Sequence, residues 1–159
     1  PLYSSAASDV YKRQYEIIGK IPSIEKVKSL ITKLSNTESR IFISGPAGSG
    51  KELVARQIHK QSSRSKKPFV VVNGALLDPQ KYELELFGSE NENEITNYGF
   101  LEKAKDGILL IDEVSEIPLE TQAKILRVLT DQKFRRVNGS KEINVNVRII
   151  ITSRKTIIE

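Results

Sequence analysis

The sequence predicts an α/β fold of three layers, in which helices cover both faces of a mostly parallel central sheet. Four short segments are almost continuously apolar, which is typical of strands that are buried on both faces. They are residues 40–44, 68–73, 108–111 and 147–151. Segments with helical spacing of apolar residues alternate with these strands, as βαβ units require. The first strand also runs directly into a glycine-rich loop and a helix.

The helices are predicted from the spacing of their apolar residues and from the signals at their ends. The first follows Pro22-Ser23, and its apolar positions are Ile24, Val27, Leu30, Ile31 and Leu34. Further helices are predicted over residues 51–61, 76–87 and 100–104. Pro118 opens the last helix, whose apolar residues are expected to face the core: Ala123, Ile125, Leu126, Val128 and Leu129.

Two connections between these elements carry their own signals. Residues 89–97 are acidic, amide-rich and poor in apolar side chains, which predicts a surface loop. Residues 134–137 and 143–145 flank Asn138-Gly139, a dipeptide that favours a hairpin turn.

The composition bounds the class of protein. A length of 159 residues is typical of one domain, and 38% hydrophobic with 28% charged residues is ordinary for a globular protein. The absence of cysteine excludes disulfides and thiolate metal sites and fits a reducing cytoplasm. Because no apolar stretch approaches the roughly 20 residues that span a bilayer, we expect no membrane partner and a cytoplasmic location. The net charge of +5 is scattered among acids, which favours a solvated surface over a nucleic-acid footprint.

The amino-terminal residues 1–14 are interpreted as a non-native leader. Residues 4–14 resemble an in-frame translation of a sequencing adapter, and the alternative is a disordered leader rich in Ser and Ala. Residues 15–159 are then expected to form one partial domain.

The glycine-rich loop has the composition of a phosphate cradle. Glycines allow the backbone to curl tightly and to approach phosphates without a Cβ clash, the following helix contributes partial positive charge at its start, and a lysine reaches the outer phosphates. The loop consists of Gly45, Pro46, Ala47, Gly48, Ser49, Gly50 and Lys51. Glu52 stands where a hydroxyl would ordinarily coordinate magnesium. A flexible Gly/Ser turn is the alternative interpretation of this loop.

An acidic pair provides the second half of a candidate site. Asp112 and Glu113 follow the third buried strand, where a hard oxygen is needed to bind the magnesium ion of a nucleotide. Asp112 is the candidate magnesium ligand, and Glu113 is the candidate base that orients and deprotonates the attacking water. An exposed acid pair in a turn is the alternative.

These two elements together resemble the Walker A and Walker B motifs of AAA+ ATPases, and the wider pattern is similar to the central domain of sigma-54-dependent transcriptional activators. Residues 45–52 are similar to the Gly-Glu-Ser-Gly-Thr-Gly-Lys-Glu of that family, which also carries glutamate at the position of Glu52. The resemblance continues through residues 85–88, 100–104, 110–113, 122–129 and 136–139. It implies a P-loop NTPase fold of the AAA+ type. We expect the chain to end before the fifth strand and the helical lid of that domain, and therefore expect little or no ATP turnover from these 159 residues alone.

The resemblance also implies roles for individual residues. Lys51 would contact the β- and γ-phosphates of ATP, Asp112 the magnesium ion and Glu113 the water. Asn73 aligns with an asparagine that can hold the catalytic glutamate away from water, although a capping amide at a strand end is the alternative. Thr152 and Ser153 fall where a polar sensor residue reads the γ-phosphate.

Residues 89–98 depart from the family pattern. Family members that open promoters carry Gly-Ala-Phe-Thr-Gly-Ala here, whereas this segment is shorter, acidic and without an aromatic residue between glycines. The loss is similar to that in NtrX-like response regulators. Two functions follow from the resemblance. One is an ATPase whose hydrolysis, coupled to assembly of a hexameric or heptameric ring, regulates transcription. The other is a nucleotide-gated oligomerisation module that does not remodel sigma-54. In both, DNA would be bound by a domain outside these residues.

Overall fold

A computed structural model describes residues 22–154 of the chain, so the proposed leader at residues 1–14 lies outside the described residues. The strands are β1 Ile41–Ser44, β2 Phe69–Asn73, β3 Ser89–Asn91, β4 Glu94–Asn97, β5 Ile108–Asp112, β6 Lys133–Phe134, β7 Ile143–Asn144 and β8 Arg148–Ser153. The helices are α1 Pro22–Ser35, α2 Lys51–Gln61, α3 Tyr82–Phe87, α4 Phe100–Lys103 and α5 Leu119–Asp131. A single 3-10 turn, Val114–Glu116, lies between β5 and α5.

The central sheet has four parallel strands in the spatial order β1-β8-β5-β2, which confirms the predicted parallel sheet. β5 lies inside the sheet, and its residues from Ile108 to Ile111 are fully buried. β1 lies at the edge of the described sheet, and Phe42 on it is 41% exposed. The continuous apolar character of β5 therefore reports a strand that is covered on both faces.

Alternate residues of β5 pack in two separate hydrophobic clusters, because successive side chains of a strand point to opposite faces of the sheet. Ile108 and Leu110 pack with Ile58 of α2 and Ile31 of α1 on one face. On the opposite face, Leu109 and Ile111 pack in a cluster with residues of α3, α4 and α5, which include Leu86, Leu101, Ile125 and Val128. Each fully buried Leu or Ile side chain contributes about 1.5–3 kcal/mol to this three-layer arrangement.

A buried arginine joins α1 to the amino end of the sheet. Arg148 begins β8 and is 3% exposed, and its guanidinium donates to the carbonyl oxygens of Leu34 at 2.7 Å and Ser39 at 3.2 Å. Burial lowers the pKa of this guanidinium, because desolvation disfavours its charged form. None of the helices between residues 22 and 154 is long and apolar enough to cross a membrane.

The predicted helix over residues 76–87 is wrong in its first half, since the helix begins only at Tyr82. Residues 74–76 and 79–80 form turns instead. Pro79 disfavours helical dihedrals at the residue before it, and the Asp78 carboxylate accepts the backbone N–H of Gln80 at 3.0 Å. Local turn chemistry therefore prevails over the apolar spacing.

The inward face predicted for α5 is also partly wrong. Ile125 and Val128 are buried, but Ala123 is exposed and Leu126 is 55% exposed. A helix turns about 100° per residue, so positions two apart point to nearly opposite sides. Ala123 and Leu126 lie two residues before Ile125 and Val128, so one helix carries apolar residues on both its core face and its outer face.

Residues 89–97, predicted to be a surface loop, instead form a β-hairpin. β3 pairs antiparallel with β4, and Glu92 and Asn93 at the turn both have positive φ. Two positive φ values in a two-residue turn match the twist of a tight hairpin, and amide and acidic residues tolerate them. The second predicted hairpin is confirmed by the antiparallel pairing of β6 with β7, with Asn138 at φ 62 in the connection between them. The paired segments are shorter than the predicted residues 134–137 and 143–145, because each strand has only two residues.

Candidate functional site

The predicted site residues lie at the carboxyl end of the parallel sheet. The glycine-rich loop leaves β1 there, Asp112 ends β5, and Thr152 and Ser153 end β8. The backbone N–H of Gly45 donates to the carbonyl of Ser153 at 3.2 Å, which fixes the start of the loop against β8. This edge is where parallel α/β sheets bind ligands.

The loop conformation requires its glycines. Gly48 and Gly50 have φ values of 78° and 91°, in the left-handed region that glycine adopts without a Cβ penalty. Gly50 leads directly into Lys51, the first residue of α2, whose first-turn N–H groups lack intrahelical partners. A phosphate beside this helix start is therefore stabilised by donors and by the helix dipole.

Lys51 folds back over the loop. Its side chain is 8% exposed, and its ammonium donates to the carbonyl oxygens of Gly45 at 2.7 Å and Pro46 at 3.1 Å. The same nitrogen lies 3.8 Å from a carboxylate oxygen of Glu113. An ammonium has three donors, so a bound phosphate would replace these contacts without moving the lysine out of the cradle.

Thr152 connects the strand that carries the acidic pair to the neighbouring strand. The fully buried hydroxyl of Thr152 donates to the Asp112 carboxylate and accepts the backbone N–H of Glu113 at 3.3 Å. Both hydrogen-bonding capacities of the hydroxyl are thus directed at Asp112-Glu113. Thr152 fixes the two acids relative to the end of β8.

Glu113 is held in a strained backbone conformation by its ionic partners. It has φ 56° and ψ 55°, a left-handed conformation that costs a residue with a Cβ about 1–2 kcal/mol. Its buried carboxylate lies between Lys51 and the Arg154 Nε, which donates to it at 3.2 Å. Gly74 permits the turn, because a Cβ there would lie 2.6 Å from the Glu113 carbonyl oxygen.

Sequence reasoning did not identify the role of Gly74, and it gave Arg154 no role at Glu113. The available signal for Gly74 was a glycine immediately after a buried strand that ends in a polar residue. For Arg154 the signal was a cation directly after the Thr152-Ser153 pair.

Asn73 and Glu52 are engaged locally. The Asn73 side-chain oxygen accepts the backbone N–H of Ala75 at 2.9 Å, as the capping alternative expects, and Asn73 lies opposite Asp112 in the strand register. Glu52 pairs with Arg56 one turn further along α2, at 3.0 Å. The gating role of Asn73 stays a prediction.

The acidic groups fit a magnesium ion that is shared with phosphate. Between residues 22 and 154 no group of three or more His, Cys, Asp or Glu side chains is placed to hold a metal. Magnesium in nucleotide sites is held by one or two carboxylates together with phosphate oxygens and water, and the single carboxylate of Asp112 is compatible with that arrangement.

A parallel sheet in this strand order, a glycine loop between β1 and α2, a buried lysine and an acidic end of β5 define an α/β domain of the P-loop NTPase class. The family model of the Sigma-54 interaction domain matches residues 17–159, and the chain belongs to this family.

Within this family, the chain is similar to regulators of the NtrX and NtrC types. The nitrogen assimilation regulatory protein NtrX of Azorhizobium caulinodans is 42% identical over 146 residues, which cover 91% of this chain and 32% of the relative. The DNA-binding transcriptional regulator NtrC of Escherichia coli K12 is 39% identical over 147 residues, 89% of this chain and 31% of the relative. The crystal structure of NtrX from Brucella abortus in complex with ATP superposes with a TM-score of 0.85 at 46% identity, covering 97% of this chain and 34% of that one. The chain thus spans about a third of the length of these relatives.

Proposed function

We propose that this domain binds Mg-ATP in the glycine-rich loop and serves a transcriptional regulator in which hydrolysis is coupled to ring assembly. The observation that carries the proposal is the position of the Lys51 ammonium, which is held over the loop by the carbonyls of Gly45 and Pro46 and lies beside Glu113. The complex of a 46% identical NtrX domain with ATP supports the same ligand.

Residues 45–52 would surround the phosphates, and Lys51 would donate to the β- and γ-phosphate oxygens. Asp112 would hold the magnesium ion, which neutralises charge on those oxygens when it is bound. Glu113 would accept the proton of the attacking water. Thr152 keeps both acids in place, and the Ser153 carbonyl anchors the loop.

The ion pairs of Glu113 suggest how binding prepares this base. Lys51 and Arg154 both contact the Glu113 carboxylate. A phosphate that engages Lys51 competes for that ammonium, and the Glu113 carboxylate then keeps Arg154 as its remaining cationic partner. Asn73, one strand away, would hold Glu113 away from water until the ring engages.

The second candidate function is a nucleotide-gated oligomerisation module that does not remodel sigma-54. The β3–β4 hairpin favours it, because this hairpin stands where promoter-opening relatives have an aromatic-tipped loop. Arg136 holds its base through hydrogen bonds to Glu90 at 2.6 Å and to both carboxylate oxygens of Glu102 at 2.6 and 2.7 Å. The Tyr98 ring lies 5.8 Å from the same guanidinium. Membership in the Sigma-54 interaction family favours the first function, which is therefore the conclusion.

ATP turnover by the intact regulator tests the first function. Glu113→Gln is expected to bind Mg-ATP as the unmodified protein does and to lose about 10²–10⁴-fold in turnover, the usual contribution of a general base. Glu116→Gln, an exposed acid three residues further on, is the matched control and should retain full turnover. Unchanged turnover in Glu113→Gln would show that the base has been misassigned. A protein that binds ATP and assembles but never hydrolyses it would instead support the second function.

A further inference from the structure

A groove of about 880 Å³ lies beside α5, outside the nucleotide site. α3, α5 and residues 133–142 contribute its walls, and five basic side chains line it against three acidic ones. Lys124 is paired with Glu83 at 2.7 Å, and Arg135 with Glu142 at 3.7 Å. Among the described residues, Arg127 and Lys133 on the walls have no acidic partner.

The β3–β4 hairpin has negatively charged side chains at its tip, and hydrogen bonds hold its base in place. Its turn places Glu92 and Glu94 in solvent next to Ile95, which is 41% exposed, and neither acid is paired with a cation in the described part of the chain. Backbone hydrogen bonds join the base of the hairpin to Val137: Glu90 donates to the Val137 carbonyl at 3.0 Å, and the Val137 N–H donates to the Gly88 carbonyl at 2.9 Å. The acidic tip is therefore a protrusion that is already ordered before it meets a partner, which lowers the entropic cost of docking.

We propose that the acidic tip of the hairpin in one copy of this chain docks into the basic groove of a second copy. The unpaired acids of the tip complement the unpaired cations of the groove, and complementary charge sets both the register and the rate of association. The exposed Ile95 supplies apolar surface beside the acids of the hairpin tip. The two surfaces are different patches of the same chain, so the contact is heterologous and can close into a ring. This docking rests on the proposed self-assembly and names the surfaces that carry it.

Cysteine cross-linking tests the geometry, because the chain has no cysteine of its own. Glu94→Cys and Arg127→Cys are prepared separately, mixed with Mg-ATP and oxidised. We expect a disulfide-linked heterodimer from this mixture and none when Arg127→Cys is replaced by Lys60→Cys, an exposed position on α2. Equal cross-linking to both partners, or none to Arg127→Cys, would overturn the proposal.

Charge reversal tests the energetics. The hairpin variant carries Glu92→Lys and Glu94→Lys, and the groove variant carries Arg127→Glu and Lys133→Glu. Each variant alone is expected to self-associate about tenfold more weakly in sedimentation experiments, while an equimolar mixture of the two recovers association. Lys60→Glu with Lys66→Glu, two exposed lysines away from the groove, is the control and should associate normally.

Binding of a fluorescent ATP analogue to the same variants separates this proposal from the proposed function. If no ATP binds but each charge-reversal variant associates weakly and their mixture recovers association, the proposed function is refuted and the docking is supported. If ATP binds normally and both charge-reversal variants self-associate as strongly as the unmodified chain, only the docking is refuted. A chain that binds ATP and stays monomeric at every concentration would also refute it, and would assign the groove to another molecule.

Discussion

Removal of the Arg136 guanidinium should destabilise the domain more than removal of any surface charge. Arg136 is 10% exposed, and its ionic partners Glu90 and Glu102 are 9% and 14% exposed, so its loss leaves two buried carboxylates without a cation. Breaking a buried pair from one side costs about 3–5 kcal/mol. We expect about 3 kcal/mol for Arg136→Ala, at the lower end, because the cluster borders the open groove and water can enter.

Urea unfolding followed by circular dichroism measures this loss, and the neighbouring Arg135 provides a matched control. Arg135 is 61% exposed and lies 3.7 Å from Glu142, so Arg135→Ala should cost only about 0–1 kcal/mol. A triple variant with Arg136→Met, Glu90→Gln and Glu102→Gln should recover most of the stability, because no buried charge is left unpaired. If Arg136→Ala and Arg135→Ala unfold at the same urea concentration, the buried cluster does not stabilise the domain as described.

The pH dependence of this stabilisation follows from the sign of the shift. The hydrogen bond to Glu102 is the largest cause that raises the pKa of Arg136 above its ordinary value, and the Glu90 bond adds to it. A cation with a raised pKa contributes stability that is fully present below its unfolded pKa and is lost only above the folded one. The difference in unfolding free energy between the unmodified chain and Arg136→Ala should therefore be constant between about pH 6 and pH 9 as far as the arginine is concerned.

Further predictions concern the residues around the acidic pair. Gly74→Ala should lower stability by about 1–3 kcal/mol and reduce ATP turnover of the intact regulator, because the new Cβ would meet the Glu113 carbonyl 2.6 Å away; unaltered unfolding and turnover would contradict the close approach. Thr152→Val should cost about 1–3 kcal/mol in urea unfolding, because it leaves the buried Glu113 N–H unpaired and removes the donor to Asp112. Thr152→Ser keeps the hydroxyl and should cost distinctly less, and an equal loss in both variants would assign the effect to packing.

The parts of the fold that were predictable from sequence are those where a local pattern has one physical solution. The run Ile108 to Ile111 is too short for a helix and favours a strand covered on both faces, and the glycines of the phosphate loop stand where positive φ is needed. The location of the site was also predictable, because the carboxyl ends of parallel strands lie at the same edge of the sheet. Lys51, Asp112 and Thr152 therefore lie together at this edge, as the motifs predict.

The parts that were not predictable depend on contacts between distant residues. Pro79 delays the start of the helix to Tyr82. The exposed face of α5 was not predicted, because Leu126 and Ile125 are both apolar and the sequence alone does not show which of them faces the core. The hairpin at residues 89–97 has few apolar residues of its own, and it is held by Arg136, 46 residues beyond its partner Glu90. The partnership of Arg154 with Glu113 likewise crosses from the end of β8 to the end of β5.

A titration of the purified chain with Mg-ATP tests whether Lys51 binds the phosphates of ATP. Alanine suits the first turn of a helix and Arg154 remains as a cationic partner of Glu113, so Lys51→Ala should still fold. It should lose a charge-assisted contact with the phosphates of about 1.5–3 kcal/mol, which is a roughly 10- to 150-fold weaker affinity. Lys60→Ala on the exposed side of α2 is the control and should bind as the unmodified chain does. Equal affinities in all three proteins would show that Lys51 does not bind the phosphates.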